Sequence, residues 1–342
     1  MRLCSLVPVC AMTLGLIAST SLTVSAMTFK PAEGRMWDVC VFHHDGTYHL
    51  GYTANSQGVP TGFGVATSSD GVHWKDRGIV RKETGSGFIW KSPDFQQDGK
   101  FQYNTVVFSY PGPGQRIGFL ESSDLFDGDA HFARFFSSPD GMLVVHFSLA
   151  KEQDTLCYMA PMKRAVVDQE GILRLAYWKG NDKLKGEAVA VKTPLLDGPP
   201  ALLEPRFDVE RGFILEGTIR LPDKESAQLP GVYLESGEQR PTLVRMLPNG
   251  ASQIGTVKPD GSDFQPRAAE AVWGGLAEID RQISFGPTAR FRILVRHGML
   301  EFYLDDVLFH IRSLTQPATG KIGIVGAPGS ISDLQAWQMD LP

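Results

Sequence analysis

An indole followed directly by a carboxylate, Trp37-Asp38, and a second aromatic with polar neighbours, Trp90-Lys91 and Asp94, are the groupings in this sequence best suited to chemistry on a sugar. A sugar ring offers an apolar face that stacks on indole and hydroxyls that need donors and acceptors at the edge. Cleaving a glycosidic bond asks for more: two carboxyl groups, one protonated to help the leaving oxygen and one ionised as nucleophile or as base for water. Asp38 can supply a carboxyl of this kind, although aspartate also commonly caps a strand end, and Ser92-Pro93-Asp94 reads equally as a turn. His131, Arg134 and His146 lie in or beside strand-like runs, where a histidine is more often satisfied inside a core than catalytic. Metal chemistry has no foothold, since there is no Cys-x-x-Cys and His43-His44 lacks spaced partners. Neither a metal nor another cofactor is expected.

The elements that must position these residues are strands. Runs rich in β-branched and aromatic residues, Tyr48 to Thr53, Phe101 to Phe108, Phe132 to Phe136, Leu143 to Leu149 and Leu173 to Trp178, recur at short intervals. Between them stand Asp45-Gly46, Asp70-Gly71, Asp98-Gly99 and Asp140-Gly141, the dipeptides that favour tight hairpins. No window before residue 195 keeps a helical period over three turns. Repeated four-stranded antiparallel units are the natural reading.

Arg2, the apolar stretch from Leu6 to Ile17 and the small residues ending in Val24-Ser25-Ala26 read as a signal peptide at 1–26, so a secreted or periplasmic protein is expected. The apolar run is shorter than a bilayer span, and no membrane association is expected. Beyond the leader only Cys40 and Cys157 remain, too few for a disulfide framework, so stability must come from burial. The net charge of -5, with no basic stripe, argues against nucleic acid as a partner. A proline-rich linker from Pro194 to Pro205 separates two spans of different strand pattern, which divides the chain into expected domains at 27–195 and 206–342. In the second, Phe213 to Leu221, Gly231 to Glu235, Thr242 to Met246, Phe291 to Arg296, Leu300 to Leu304, Val307 to Ile311 and Lys321 to Val325 alternate apolar and polar residues as two packed sheets would. Glu301, Asp305 and Asp306 invite a calcium or catalytic role, but Asp305-Asp306 is more simply a hairpin turn.

The first blade then resembles a known group. Trp37-Asp38-Val39-Cys40-Val41-Phe42, Asp45-Gly46-Thr47-Tyr48-His49-Leu50 and Val65-Ala66-Thr67-Ser68-Ser69-Asp70-Gly71-Val72-His73-Trp74 are similar to the opening blade of the five-bladed β-propeller glycosidases, glycoside hydrolase families 32, 43, 62 and 68. A second blade resembles the same pattern in Ile89 to Phe95, Phe101 to Phe108 and Ile117 to Leu125. The stretch from Phe291 to His310, with Thr319 to Gly323, resembles the concanavalin-like sandwich that follows the propeller in fructan-cleaving members. The resemblance implies an all-β chain, a five-bladed-type propeller followed by a β-sandwich. It also implies an oligo- or polysaccharide substrate of furanoside type, with Asp38 as the ionised carboxylate in the central funnel. Trp37 and Trp90 would be sugar platforms, and Lys91, Asp94, Arg134 and His146 would be hydroxyl-binding residues.

The chain departs from the group where the other acid groups belong. Neither an Arg-Asp-Pro-like nor a Glu-Cys-like motif occurs, and the span before residue 195 holds about three blades' worth of strands where closed propellers have four to eight. Glu121, Glu152 and Glu170 are the glutamates near strands, and Glu121 is the first candidate for the general acid. A furanoside-directed hydrolase, weakly active or inactive, and a non-catalytic carbohydrate-binding protein are therefore the main expectations, and a structural interaction module is a third that no specific residue supports.

Overall fold

The computed structural model describes residues 28–32, 35–56, 59–82, 87–91, 101–105, 130–150, 156–169, 171, 173–192, 200–223, 228–237, 240–266, 286–314 and 318–341. The expected signal peptide, Asp94, Glu121, Glu152, Glu170 and the first half of the linker lie outside these residues. About two thirds of the described residues are strand.

The first blade is a four-stranded antiparallel meander of β1 (Arg35–His44), β2 (Thr47–Ser56), β3 (Val59–Ser68) and β4 (Lys75–Lys82). Asp45 and Gly46 make the two-residue turn between β1 and β2, both at positive φ (44° and 71°), as hairpin sterics require. The next sheet has two strands, β5 (Gly87–Lys91) and β6 (Phe101–Thr105). A third unit consists of β7 (Ala130–Ser138), β8 (Gly141–Ala150), β9 (Leu156–Met159), β10 (Lys163–Val167) and β11 (Leu173–Tyr177). Here β7, β8, β10 and β11 lie in that order and β9 pairs with β8. The sequence spans that the strand pattern separates at 140–149 and 159–178 thus close one blade together.

A 3-10 turn, Lys179–Leu184, leads to β12 (Lys185–Val189) and on to β13 (Ala201–Leu202), β14 (Phe213–Arg220), β15 (Gly231–Ser236), β16 (Thr242–Met246), β17 (Ser252–Thr256) and β18 (Gln265–Pro266). The last strands are β19 (Thr288–Arg296), β20 (Met299–Leu304), β21 (Val307–Ser313), β22 (Ala318–Val325) and β23 (Ile331–Met339). One face of the sandwich has the order β12-β23-β14-β19-β20-β21, the other β13-β22-β15-β16-β17-β18. Asp305 and Asp306 form the β20–β21 turn, with φ of 43° and 65°, so they close a hairpin. β12, on the N-terminal side of the linker, pairs with β23 and so belongs to the sandwich by hydrogen bonding.

Among the described residues one register pair, Ala176 with Val307, joins the closing blade to the sandwich sheet. The meeting is deeper than that pair. Along β19 and β20, Ile293, Val295, Leu300, Phe302 and Leu304 enter the sandwich core, while Leu294, Met299 and Tyr303, on the other face, join a core with Met36, Leu50 and Val144 of the blades. Period-two alternation puts an apolar residue on both faces, so this sheet is covered on both sides. Burying a side chain of this size stabilises by about 1.5–3 kcal/mol. Polar groups also cross. Glu216 on β14 takes Lys185 Nζ at 2.8 Å and Arg292 Nε at 2.6 Å, and the Arg292 guanidinium lies 3.6 Å over the Tyr177 ring. Burial pushes the Glu216 carboxyl up, but its bonds to Lys185 and Arg292 outweigh that and hold it below the usual carboxylate range.

A further clasp ties the first blade to the C-terminal segment. The His73 ring meets Asp70 Oδ2 through Nδ1 and the backbone carbonyl of Asp340 through Nε2, each at 2.8 Å. Partial burial disfavours the imidazolium, but two acceptors, one of them charged, raise its pKa overall. A raised folded pKa means the contribution is complete below the unfolded value of about 6.5 and is lost as pH climbs through the folded one. For Asp70 burial works upward, yet bonds from His73, Val72 and Ser68 hold the carboxyl far below its ordinary value. Its contribution therefore holds above about pH 4 and fails only in strong acid. Urea unfolding between pH 6 and pH 8.5 is expected to show stability falling more steeply in the native chain than in His73→Gln; parallel curves would remove the clasp from the account.

Candidate functional site

Asp38 sits at an irregularity in β1. The register with β2 slips between Trp37 and Cys40, and Asp38 takes φ of +47°, in the left-handed region that costs most residues energy and that aspartate tolerates better than most. A bulge of this kind turns a side chain away from the alternation the strand would impose. Asp45, Asp263, Asp305, Asp306 and Asp333 share the sign of φ, so it is the combination of a strained backbone with a place beside Trp37 in β1 that makes Asp38 a reason to look for function. Asp38 is half-buried, as is Trp37, which packs against the blade core with its indole N–H buried and without an acceptor among the described residues.

Although β2 too lies against β5, β1 is also the strand of its blade that meets most of the others. It lies against β5, β7, β8 and β9, whereas β4 forms the outer edge of the meander. The inner position that a propeller gives its channel-lining strand is thus the position of the Trp37-Asp38 bulge. Among the other expected site residues, Trp90 and Lys91 fall on β5, next to β1, but only the backbone there is within the described structure. Arg134 lies half-buried on β7, just past a register shift, and β7 packs on β1. His146 on β8 is fully buried, so its ring belongs to the packed interior of the closing blade. Strands bearing Asp38, Arg134, His146, Trp90 and Lys91 are therefore neighbours.

At the opposite end of β1 the described residues line an open cavity of about 520 Å³. The turns at Gly46, Ser69-Asp70 and Asp140 converge on it, with Tyr48, Trp178 and Arg164. Trp178 is locked in place: its N–H donates to Asp140 Oδ2 at 2.9 Å, and its ring lies against Gly71 and Gly180, where a Cβ would come within 2.8 Å and 2.2 Å of it. Sequence reasoning treats the Asp-Gly pairs as punctuation. The signal it overlooks is that hairpins of one hand and similar length bring their turns to the same end of neighbouring blades.

Glu301 has a different place from the one its sequence neighbours suggest. It is buried on the blade-facing side of β20, paired with the ammonium of Lys163 from β10 and accepting the Tyr303 hydroxyl at 2.6 Å. Among the described residues no group of three or more histidine, cysteine or acidic side chains could hold a metal ion, and no helix is long and apolar enough to cross a membrane.

No protein-family model matches the sequence, and no curated protein is detectably similar to it. Solved structures are similar in shape. The exo-inulinase of Aspergillus awamori aligns over 93% of this chain and 98% of its own, with a TM-score of 0.54 at 9% identity. The fructan 1-exohydrolase IIa of Cichorium intybus aligns over 91% and 74%, with a TM-score of 0.44 at 10% identity. The sucrose-6-phosphate hydrolase of Lactobacillus gasseri aligns over 92% and 68%, with a TM-score of 0.41 at 13% identity. At 9% identity the similarity to the exo-inulinase is one of architecture. This chain shares that all-β architecture, propeller-type blades followed by a β-sandwich.

Proposed function

We propose that the protein is a glycoside hydrolase of low turnover acting on furanoside carbohydrates, of fructan or arabinan type, with Asp38 as the ionised carboxylate of its site. The observation that carries this is the bulge that sets Trp37 and Asp38, at positive φ, on the inner strand of the first blade. An indole and a carboxylate side by side offer a stacking surface and the charge that an oxocarbenium-like transition state needs. Trp90, Lys91, Asp94 and Arg134 complete the proposed sugar contacts, and Glu121 is the proposed general acid. Low turnover follows from the sequence motifs for the partner acids being absent, since general acid help is worth roughly 10²- to 10⁴-fold. Secretion or export, with cleavage after about Ala26, is part of the same reading. So is a two-domain division at 27–195 and 206–342, in which β12 of the first span reaches across to pair with β23.

A non-catalytic carbohydrate-binding protein is the second reading, favoured by the same missing motifs. Both readings require the sugar platform. Titration with inulin-type oligosaccharides by calorimetry is expected to give binding that weakens by about 1 to 3 kcal/mol in Trp37→Ala and in Trp90→Ala, the scale of an aromatic face lost from an apolar contact. Equal affinity in both variants would exclude the platform.

A further inference from the structure

We infer that the cavity at the turn end of the first and closing blades is a second ligand site, one that takes an acidic sugar: a hydroxylated ring bearing a carboxylate or phosphate. It is separate from the Asp38 bulge. His43 lines the cavity and stands five residues along β1 from Asp38, roughly 16 Å at the rise of an extended strand.

The volume, about 520 Å³, is in the range of sites that hold a small ligand. Its walls have two chemistries. Tyr48 and Trp178 meet edge to face at 5.9 Å between ring centres, with His43 4.5 Å from Tyr48, which gives a rigid aromatic wall. The polar groups divide by sign. Both carboxylates are already engaged: Asp70 accepts from Ser68, the backbone N–H groups of Val72 and His73, and the His73 ring, and Asp140 accepts from Trp178. The cations are not. Arg164, Lys179 and Lys183 line the cavity with exposed side chains, and none pairs with a carboxylate among the described residues. Three uncommitted cations against two committed carboxylates make a site whose remaining capacity is for an anion. Arg164 presents a planar fork of donors that matches a carboxylate or a phosphate. Burial, with Asp140 and Asp70 nearby, raises the Tyr48 pKa and keeps its phenol neutral, suited to a sugar hydroxyl. Neutral furanosides would leave the cations unanswered, which distinguishes this site from the one proposed at Asp38.

The test uses the full chain, titrated at low salt and followed by NMR or calorimetry. The probes are digalacturonate, fructose 6-phosphate and neutral fructose. Either anionic probe is expected to bind, with affinity falling as salt is raised and by about tenfold or more in Arg164→Ala and in the Lys179→Ala/Lys183→Ala pair. Those side chains are exposed and support no described internal contact, so the variants are expected to fold. Digalacturonate binding alone assigns the carboxylate form, and fructose 6-phosphate alone the phosphate form. Asp38→Asn is expected to leave this binding unchanged, which separates its fate from that of the proposed hydrolase. No binding of either anion, or equal affinity in the Arg164 and lysine variants, would overturn the site.

Discussion

Replacing Lys163 by methionine is expected to destabilise the protein by about 3–5 kcal/mol, because it strands the carboxylate of Glu301 in a dry interior. Both partners are essentially inaccessible to water, at 0% and 1% exposure, so screening is no remedy. Lys163 Nζ also reaches the carbonyl of Pro161 at 2.5 Å, and Glu301 keeps its second oxygen on the Tyr303 hydroxyl. Burial drives the lysine pKa down and Glu301 opposes that shift, while burial first and the Glu301 charge second drive Tyr303 well up. The cluster is satisfied only as a whole. Removing all three polar groups, in Lys163→Met/Glu301→Leu/Tyr303→Phe, is accordingly expected to recover most of the loss, since well-packed apolar replacements of a buried pair are often neutral or better. Urea denaturation of the single and triple variants checks this. A single variant within 1 kcal/mol of the native chain would contradict it.

The pair spans β10 and β20, on either side of the linker, so its effect reaches both parts of the fold. Ile214, Leu294, Leu308 and Ile311 pack on the blade core from the sandwich sheet, and a sandwich cut free at the linker would expose them. The seam between the proposed domains is thus a covered apolar face joined by ion pairs.

How much of this the sequence reveals depends on whether the cause is local. The first blade is legible because its signals are: alternation along β2 and β3, and Asp45-Gly46 at a turn whose two positive φ angles demand such residues. Thr242–Met246 is an observed strand with the bounds its alternation predicts, and Asp305-Asp306 is the turn its composition predicts. β23, Ile331–Met339, escapes notice because Asp333, Gln335 and Gln338 dilute the apolar pattern of a strand held by neighbours on both sides. β17, Ser252–Thr256, is short and carries serine, glycine and threonine. Glu301 shows the limit most clearly. Its alternation on β20 points it to one face, but that this face is buried against a blade, and that Lys163 waits there 138 residues away, follows only from tertiary packing. The same holds for the site. Trp37-Asp38 is visible as a pair of residue types, whereas the bulge that sets Asp38 at positive φ comes from the register with β2.

Asp38→Asn is expected to reduce furanoside hydrolysis by roughly 10²- to 10⁴-fold, the loss that accompanies removal of one positioned acid–base group, with little change in stability because the side chain is isosteric and half-buried. Asparagine tolerates the left-handed backbone of the bulge as well as aspartate does, so the variant isolates the charge. The decisive measurement is the rate of sugar release from inulin, levan, sucrose and aryl arabinofuranosides by the purified chain and by Asp38→Asn, with circular dichroism to verify that both are folded. Slow release from at least one of these substrates that collapses in the variant is the predicted result; release at the same rate in both proteins, or a native chain that neither cleaves nor binds any of the four, would contradict the assignment of this bulge as a glycosidase site.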